Sequence, residues 1–175
     1  MHLEFKRLTQ IKPADITALN NHPKVLQQMP LGSPDFDDEK SRSWAEEKDA
    51  QWEINGYGPW AFVIDDIFAG WGGLQKEGDD ADLALVLHPD FWGTGKIICD
   101  EIIRHAFDEI HLTSITILLP LSRKVSRFIT RYGFQPDGSV NYDGVDFRRY
   151  RLFSDHTDGH IMAERSEREV FETRR

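Results

Sequence analysis

The change of hydrophobic period between Pro59 and Leu121 constrains the fold more than any other feature of the chain. Residues 59–65 (PWAFVID), 67–76 (IFAGWGGLQK) and 82–87 (DLALVL) carry the period of two expected of strands. Short connections at Asp65-Asp66 and at residues 77–81 join them, so the three make an antiparallel meander. From Lys96 to Ile110 the period becomes helical. Ile98, Cys99, Ile102, Ile103, Ala106, Phe107 and Ile110 share one face, and Lys96, Asp100, Glu101, Arg104, Asp108 and Glu109 fill the other. The run 114–121 (SITILLPL) then reads as a buried strand. Strand, helix and strand in that order imply a parallel crossover, so the sheet must mix an antiparallel meander with a parallel pair.

The flanks fit the same plan. Residues 3–10 (LEFKRLTQ) read as a first strand. Pro13 can open a helix, and Ile16, Leu19, Val25, Leu26 and Met29 continue with broken helical spacing. Asp37 to Asn55 reads as a longer helix. Residues 123–133 (RKVSRFITRYG) put Val125, Phe128, Ile129 and Tyr132 on one side of a short helix closed by Gly133. Residues 134–153 form a hairpin on the turn Asp143-Gly144. The expected fold is α/β (α+β): one mixed, mostly antiparallel sheet of about seven strands, with a splayed parallel pair and helices on both faces. It occupies residues 1–154, and residues 155–175 form a charged tail.

Bulk properties narrow the function. A chain of 175 residues fills one core. Its net charge of −9 argues against nucleic acid as main partner and suits a cationic ligand. No run approaches the ~18 apolar residues of a membrane span. The start MHLEFKRLTQ lacks the order of a secretory signal, and a single cysteine, Cys99, suits a reducing compartment. The expected location is cytoplasmic.

Between the strand 82–87 and the helix from Lys96 lies HPDFWGTGK. Two glycines at a strand-to-helix turn let backbone N–H groups converge, and the helix start adds partial positive charge, as an anion site needs. Glycine used for turn geometry alone is the competing reading. A nucleotide P-loop fails here, because Asp90 stands where its first glycine belongs and Ile97 follows the lysine. A dinucleotide fingerprint fails because Ile98 occupies its third glycine position.

The stretch HPDFWGTGKIICDEIIRHAF, followed after about twenty residues by SRFITRYGFQPDG, resembles the GNAT superfamily of acyl-CoA-dependent N-acetyltransferases. It looks most like the ribosomal-protein N-acetyltransferase (RimJ/RimL type) branch. That branch writes Pro, acid, aromatic, Trp-Gly-x-Gly in the turn, and closes with an aromatic residue before Gly-Phe, here Tyr132-Gly133-Phe134. The resemblance implies that Trp92, Gly93, Thr94, Gly95, Lys96 and Ile97 wrap the pyrophosphate of coenzyme A without a metal. It also implies that the backbone of Leu85, Val86 and Leu87 carries the pantetheine arm and polarises the thioester carbonyl.

The chain departs from the superfamily at three positions. Asp90 replaces a common Gln or Arg, although an acid is usual in this branch. Ser122 stands where many members place an Asn against the cofactor. Ile129 stands where many place a Tyr that protonates the leaving thiolate, so Ser126 is the substitute candidate for general acid. A thiol with pKa near 8.5 also leaves tolerably without one.

Asp82 is the candidate general base or amine anchor. It starts the cofactor strand at a position often acidic in the branch, and shares a face with Ala84 and Val86. A strand-end turn residue is its bland alternative. Trp44, Trp52 and Tyr57 lie in the segment that forms the acceptor wall in this family. Arg123 and Lys124 follow the Ser122 strand end and could meet the 3′-phosphate of the cofactor. Cys99 reads as core, and His156 and His160 lack a third ligand, so no metal is assigned.

The expected activity is acetyl transfer from acetyl-CoA to a primary amine, by direct attack in a ternary complex. The acceptor is a cationic small molecule or a protein N-terminus. A catalytically silent acyl-CoA-binding module is the alternative. A homodimer is common in the family and stays open.

Overall fold

The structure is a computed structural model and describes residues 1–125 and 127–155. Seven strands form one sheet in the order β1-β2-β3-β4-β5-β7-β6. The strands are β1 (Leu3–Lys6), β2 (Pro59–Ile64), β3 (Ile67–Glu77), β4 (Asp80–Leu87), β5 (Ser114–Pro120), β6 (Gln135–Tyr142) and β7 (Val145–Phe153). The helices are α1 (Pro13–Asn20), α2 (Pro23–Leu26), α3 (Asp38–Asn55), α4 (Gly95–Arg104) and α5 (Arg127–Tyr132). Every neighbouring pair runs antiparallel except β4 with β5. The expected fold is therefore the observed one.

Local chemistry sets the ends of these elements. Asp37 caps α3 by accepting from the Lys40 amide at 2.7 Å, and Gly56 ends it in the left-handed region, at φ 77°. Asp65 and Asp66, at φ 48° and 66°, close the β2–β3 hairpin, and Asp143-Gly144 closes β6–β7 in the same way.

The first strand stops short of its expected end. After Lys6 the chain turns into a 3-10 turn at Leu8–Gln10, because the Gln10 side chain accepts from the Arg7 amide at 2.9 Å. Arg7 in turn reaches α3, with Nε and Nη2 at 2.7 and 3.0 Å from the Asp49 carboxylate. The long helical run also departs from one uniform helix. After Arg104 it widens into a π turn at His105–Glu109, in which the Ile110 amide donates to His105 O at 3.0 Å.

Each sheet face carries its own core. On one face α4 and α5 bury Ile98, Ile102, Ile103 and Ile129 against Phe62, Leu74, Leu83, Ile115 and Leu152. On the other, the α1–α3 layer buries Leu8, Ile16, Leu19, Val25 and Ala45 against Ala61 and Trp71.

β4 and β5 share one register pair, Asp82 with Thr116. Below that point the strands are cross-tied. Arg151 of β7 grips both carboxylate oxygens of Asp80 at 2.8 and 2.9 Å, Asp137 Oδ2 at 2.9 Å and Ser114 Oγ at 2.9 Å. The Asp80 bonds come first among the causes that push the guanidinium pKa up, and they hold the Asp80 carboxyl below its ordinary value. Above Asp82 the strands part.

β3 follows β4 closely into this bend. A Cβ on Gly72 would lie 2.3 Å from Ala84 O and 3.0 Å from Leu85 Cα, both backbone atoms. Gly72→Ala should therefore lower stability by about 1–3 kcal/mol, read as a lower urea midpoint with an unchanged slope.

Candidate active site

The parting of β4 from β5 leaves the far edge of β4 without a ladder. Backbone donors and acceptors inside a fold need partners, so an unpaired inner edge is a place for an extended ligand. Two cavities meet along it. One, of about 590 Å³, runs past Leu85, Val86 and Leu87 to Trp92, Gly93, Gly95 and Lys96. The other, of about 540 Å³, opens over Asp82, Ala84 and Val86 towards Trp44, Lys48 and Trp71. Leu85, Val86, Cys99, Arg123 and Phe128 line both.

The turn between β4 and α4 is a 3-10 helix, Pro89–Thr94, that runs directly into α4. Trp92 pins it by donating from Nε1 to Leu87 O at 3.0 Å. His88 Nδ1 accepts from the Asp90 amide at 3.2 Å, and the Phe91 amide donates to His88 O at 2.9 Å. Thr94, the residue before α4, makes no side-chain cap and donates instead to Phe91 O at 2.7 Å. Gly93 is in neither a strained nor a crowded position, since a Cβ there would meet nothing within 4 Å. The space beside this glycine is open and belongs to the first cavity, so packing within the fold does not require it.

Most of the expected site residues converge here. Leu85, Val86, Leu87, Trp92, Gly93, Gly95 and Lys96 line the first cavity, although Lys96 also pairs with Asp100 at 3.0 Å. Thr94 ends the turn and Ile97 lies in the first turn of α4, and neither lines that cavity. Ser122 sits exposed in the turn after β5 and lines neither cavity, whereas its neighbour Arg123 lines both. Ser126 lies outside the described residues, as do His156, His160 and all of the tail beyond Asp155. No cluster of His, Cys, Asp and Glu that could hold a metal occurs among the described residues. No helix among them is long and apolar enough to cross a membrane.

Of the three aromatic residues expected at the acceptor wall, Trp44 lines the second cavity. It meets Trp71 edge-on at 4.9 Å. Trp52 is used elsewhere: it meets Trp60 at 4.2 Å with the rings inclined by 57°, under Arg7, and donates from Nε1 to Pro59 O at 3.0 Å. Tyr57 packs against the α4-side core. Lys48, which the sequence did not single out, does line the second cavity.

Asp82 stands at the fork. Thr116 Oγ1 donates to its Oδ1 at 2.9 Å. Burial pushes its pKa up to about 7; the Thr116 bond opposes this, and the nearby Glu77 and Asp80 charges reinforce it. A carboxyl poised near neutrality can take or give a proton at physiological pH. Cys99 differs: burial raises its thiol to about 12, so it is no nucleophile.

The chain belongs to the acetyltransferase (GNAT) domain family, which its sequence matches over residues 3–135. No protein of curated function matches it. Solved structures of similar fold include the GNAT-family acetyltransferase of Bacillus anthracis, at TM-score 0.71 and 14% identity over 89% of this chain and 96% of that one. The acetyltransferase of Agrobacterium tumefaciens is similar at TM-score 0.70 and 16% identity, over 87% and 91%. The spermidine N-acetyltransferase of Vibrio cholerae, solved with CoA and spermine, is similar at TM-score 0.70 and 14% identity, over 89% and 97%. The enzyme is thus an acetyl-CoA-dependent acetyltransferase of the GNAT fold.

The raised pKa of Asp82 has a stability cost with a defined sign. Well below pH 3.8 the folded and unfolded chains both hold the proton. Between pH 4 and about 7 the unfolded carboxyl ionises from its ordinary 3.8 while the folded one does not, so stability falls as pH rises. Asp82→Asn should therefore gain on the native chain by on the order of 3–4 kcal/mol from pH 4 to pH 8, measured by denaturant titration at each pH.

Proposed function

We propose that this acetyltransferase is an N-acetyltransferase of the RimJ/RimL type, moving the acetyl group of acetyl-CoA to a primary amine by direct attack in a ternary complex. The observation that carries this is the fork. A parallel pair that separates after one register position, Asp82 with Thr116, leaves an open β4 edge between two joined cavities. In this reading residues 1–154 form the catalytic domain and work in a reducing, cytoplasmic setting, to which a lone buried thiol is suited.

The donor's pyrophosphate is held by the amides of Trp92–Ile97, with Lys96 and Arg123 adding positive charge. The backbone of Leu85–Leu87 orders the pantetheine and offers an N–H to the thioester oxygen. The acceptor enters as an ammonium ion, a cationic small molecule or a protein N-terminus, drawn to the ionised Asp82. Asp82 takes the proton directly or through water. The amine nitrogen then bonds to the carbonyl carbon, the C–S bond breaks, and the pair of electrons leaves on sulfur. With Ile129 at the place of the usual tyrosine, the thiolate leaves without help from that position.

The deciding experiment is thiol release from acetyl-CoA over a panel of primary amines, beside calorimetric binding of acetyl-CoA. Turnover on at least one amine is expected; binding without turnover on any would favour a silent acyl-CoA sensor. With an active acceptor, kcat/KM should rise through about pH 7. Asp82→Asn should remove that rise and lower kcat/KM by roughly 10²–10⁴-fold while acetyl-CoA binding persists. An unchanged profile would eliminate Asp82 from proton transfer. Gly93→Val fills space the fold does not need, so it should weaken acetyl-CoA by about tenfold, near 1.4 kcal/mol, at an unchanged melting temperature.

A further inference from the structure

The chain is acidic overall, with a net charge of −9, but its acceptor cavity is not. The charged residues lining that cavity are one acid, Asp82, and four cations: Lys40, Lys48, Arg123 and Lys124. Three of the cations have ready explanations. Lys40 pairs with Asp35 at 2.5 Å and lies over the Phe36 ring. Arg123 also lines the donor cavity beside Lys96. Lys124 follows it in the same exposed turn.

Lys48 is held by neutral and aromatic groups rather than by a carboxylate. It projects from α3 over β3, its ammonium 5.3 Å from the Trp71 ring and 6.0 Å from that of Trp44. Its hydrogen-bond partner is neutral, Gln75 Oε1 at 2.6 Å. No carboxylate pairs with it among the described residues. Burial pulls its pKa below the usual lysine value, against the opposing pull of the Glu47 charge, the signature of a cation held where water is scarce. A partly buried charge with no carboxylate in direct contact is costly to keep, and it becomes more favourable once a ligand supplies an anion at hydrogen-bond distance.

The position of Lys48 relative to Asp82 defines the ligand. Gln75, which holds Lys48, is the cross-strand partner of Asp82 in the β3–β4 register. Directly opposed residues share a face of the sheet. The cavity therefore presents an anion and a cation on one face, over adjacent strands, with Ala84 as a low floor beyond Asp82 and Trp44 and Trp71 as apolar walls.

We propose that the acceptor is an amine that also carries a carboxylate, with Asp82 meeting the amine and Lys48 the carboxylate. This rests on the acetyl-transfer reading above and narrows its substrate class. A polyamine would bring a second ammonium towards Lys48 in a partly desolvated cleft, so the preference of the spermidine enzyme does not carry over to this chain.

The test compares amino acids and dipeptides bearing free carboxylates with their amides, and both with spermidine, by thiol release from acetyl-CoA. The best acceptors should be free acids, and amidation should lower kcat/KM by roughly 10- to 100-fold, chiefly through KM. Lys48→Met should abolish that preference, making acid and amide equal, and Lys48→Arg should retain part of it. The native enzyme's panel decides by itself should the methionine variant fail to fold. Equal use of acids and amides, a preference for spermidine, or a Lys48→Met variant that keeps the native acid-to-amide ratio would overturn the carboxylate anchor while leaving acetyl transfer intact. Tight acetyl-CoA binding with no turnover on any amine would overturn both.

Discussion

The single rung between Asp82 and Thr116 is the constraint from which the rest of the molecule follows. A parallel ladder that continued would satisfy the β4 edge and close the molecule to ligands. One that never formed would leave the sheet in two halves. Arg151 resolves the conflict by tying β4, β5 and β6 together below the rung through Asp80, Ser114 and Asp137. Above it the β4–β5 pairing ends, and the two cavities open along the freed β4 edge.

The same rung places a carboxyl where its ionisation is expensive. Asp82 is raised to about 7 by its surroundings, so the fold gives up stability at neutral pH to keep it there. Thr116 softens the penalty without removing it. A residue needed only to end a strand would be cheaper as Asn or Ser, and this asymmetry is what turns the sequence position into a chemical argument.

Much of this was legible in the sequence because it depends on local patterns. The period-two runs, the helical run from Lys96 and the Asp143-Gly144 turn each encode their own geometry, and together they force a mixed sheet. The turn between β4 and α4 was legible as a strand-to-helix connection because its own glycines and aromatic residues, rather than distant side chains, write it. Lys48 was not. The helix DEKSRSWAEEKDAQWEIN is charged nearly all round, so periodicity cannot tell its inward lysine from its outward ones. Trp44 and Trp52 posed the same problem, and only packing against Trp71 or Trp60 separates them. The net charge of −9 sums over the whole surface, whereas the second cavity samples one acid and four cations. The end of β1 turns on a single side-chain bond, Arg7 amide to Gln10, which apolar periodicity does not register, and on the distant ion pair of Arg7 with Asp49, which no local window contains.

Cys99 lines both cavities, close to the path a thioester must follow, yet its proton is held to about pH 12. A freer sulfhydryl at that spot would compete with the incoming nitrogen and intercept the activated group, leaving an acylated protein to be cleared by water. By smothering its own sulfur in hydrocarbon, the chamber keeps that thiol protonated and out of competition for the acyl group.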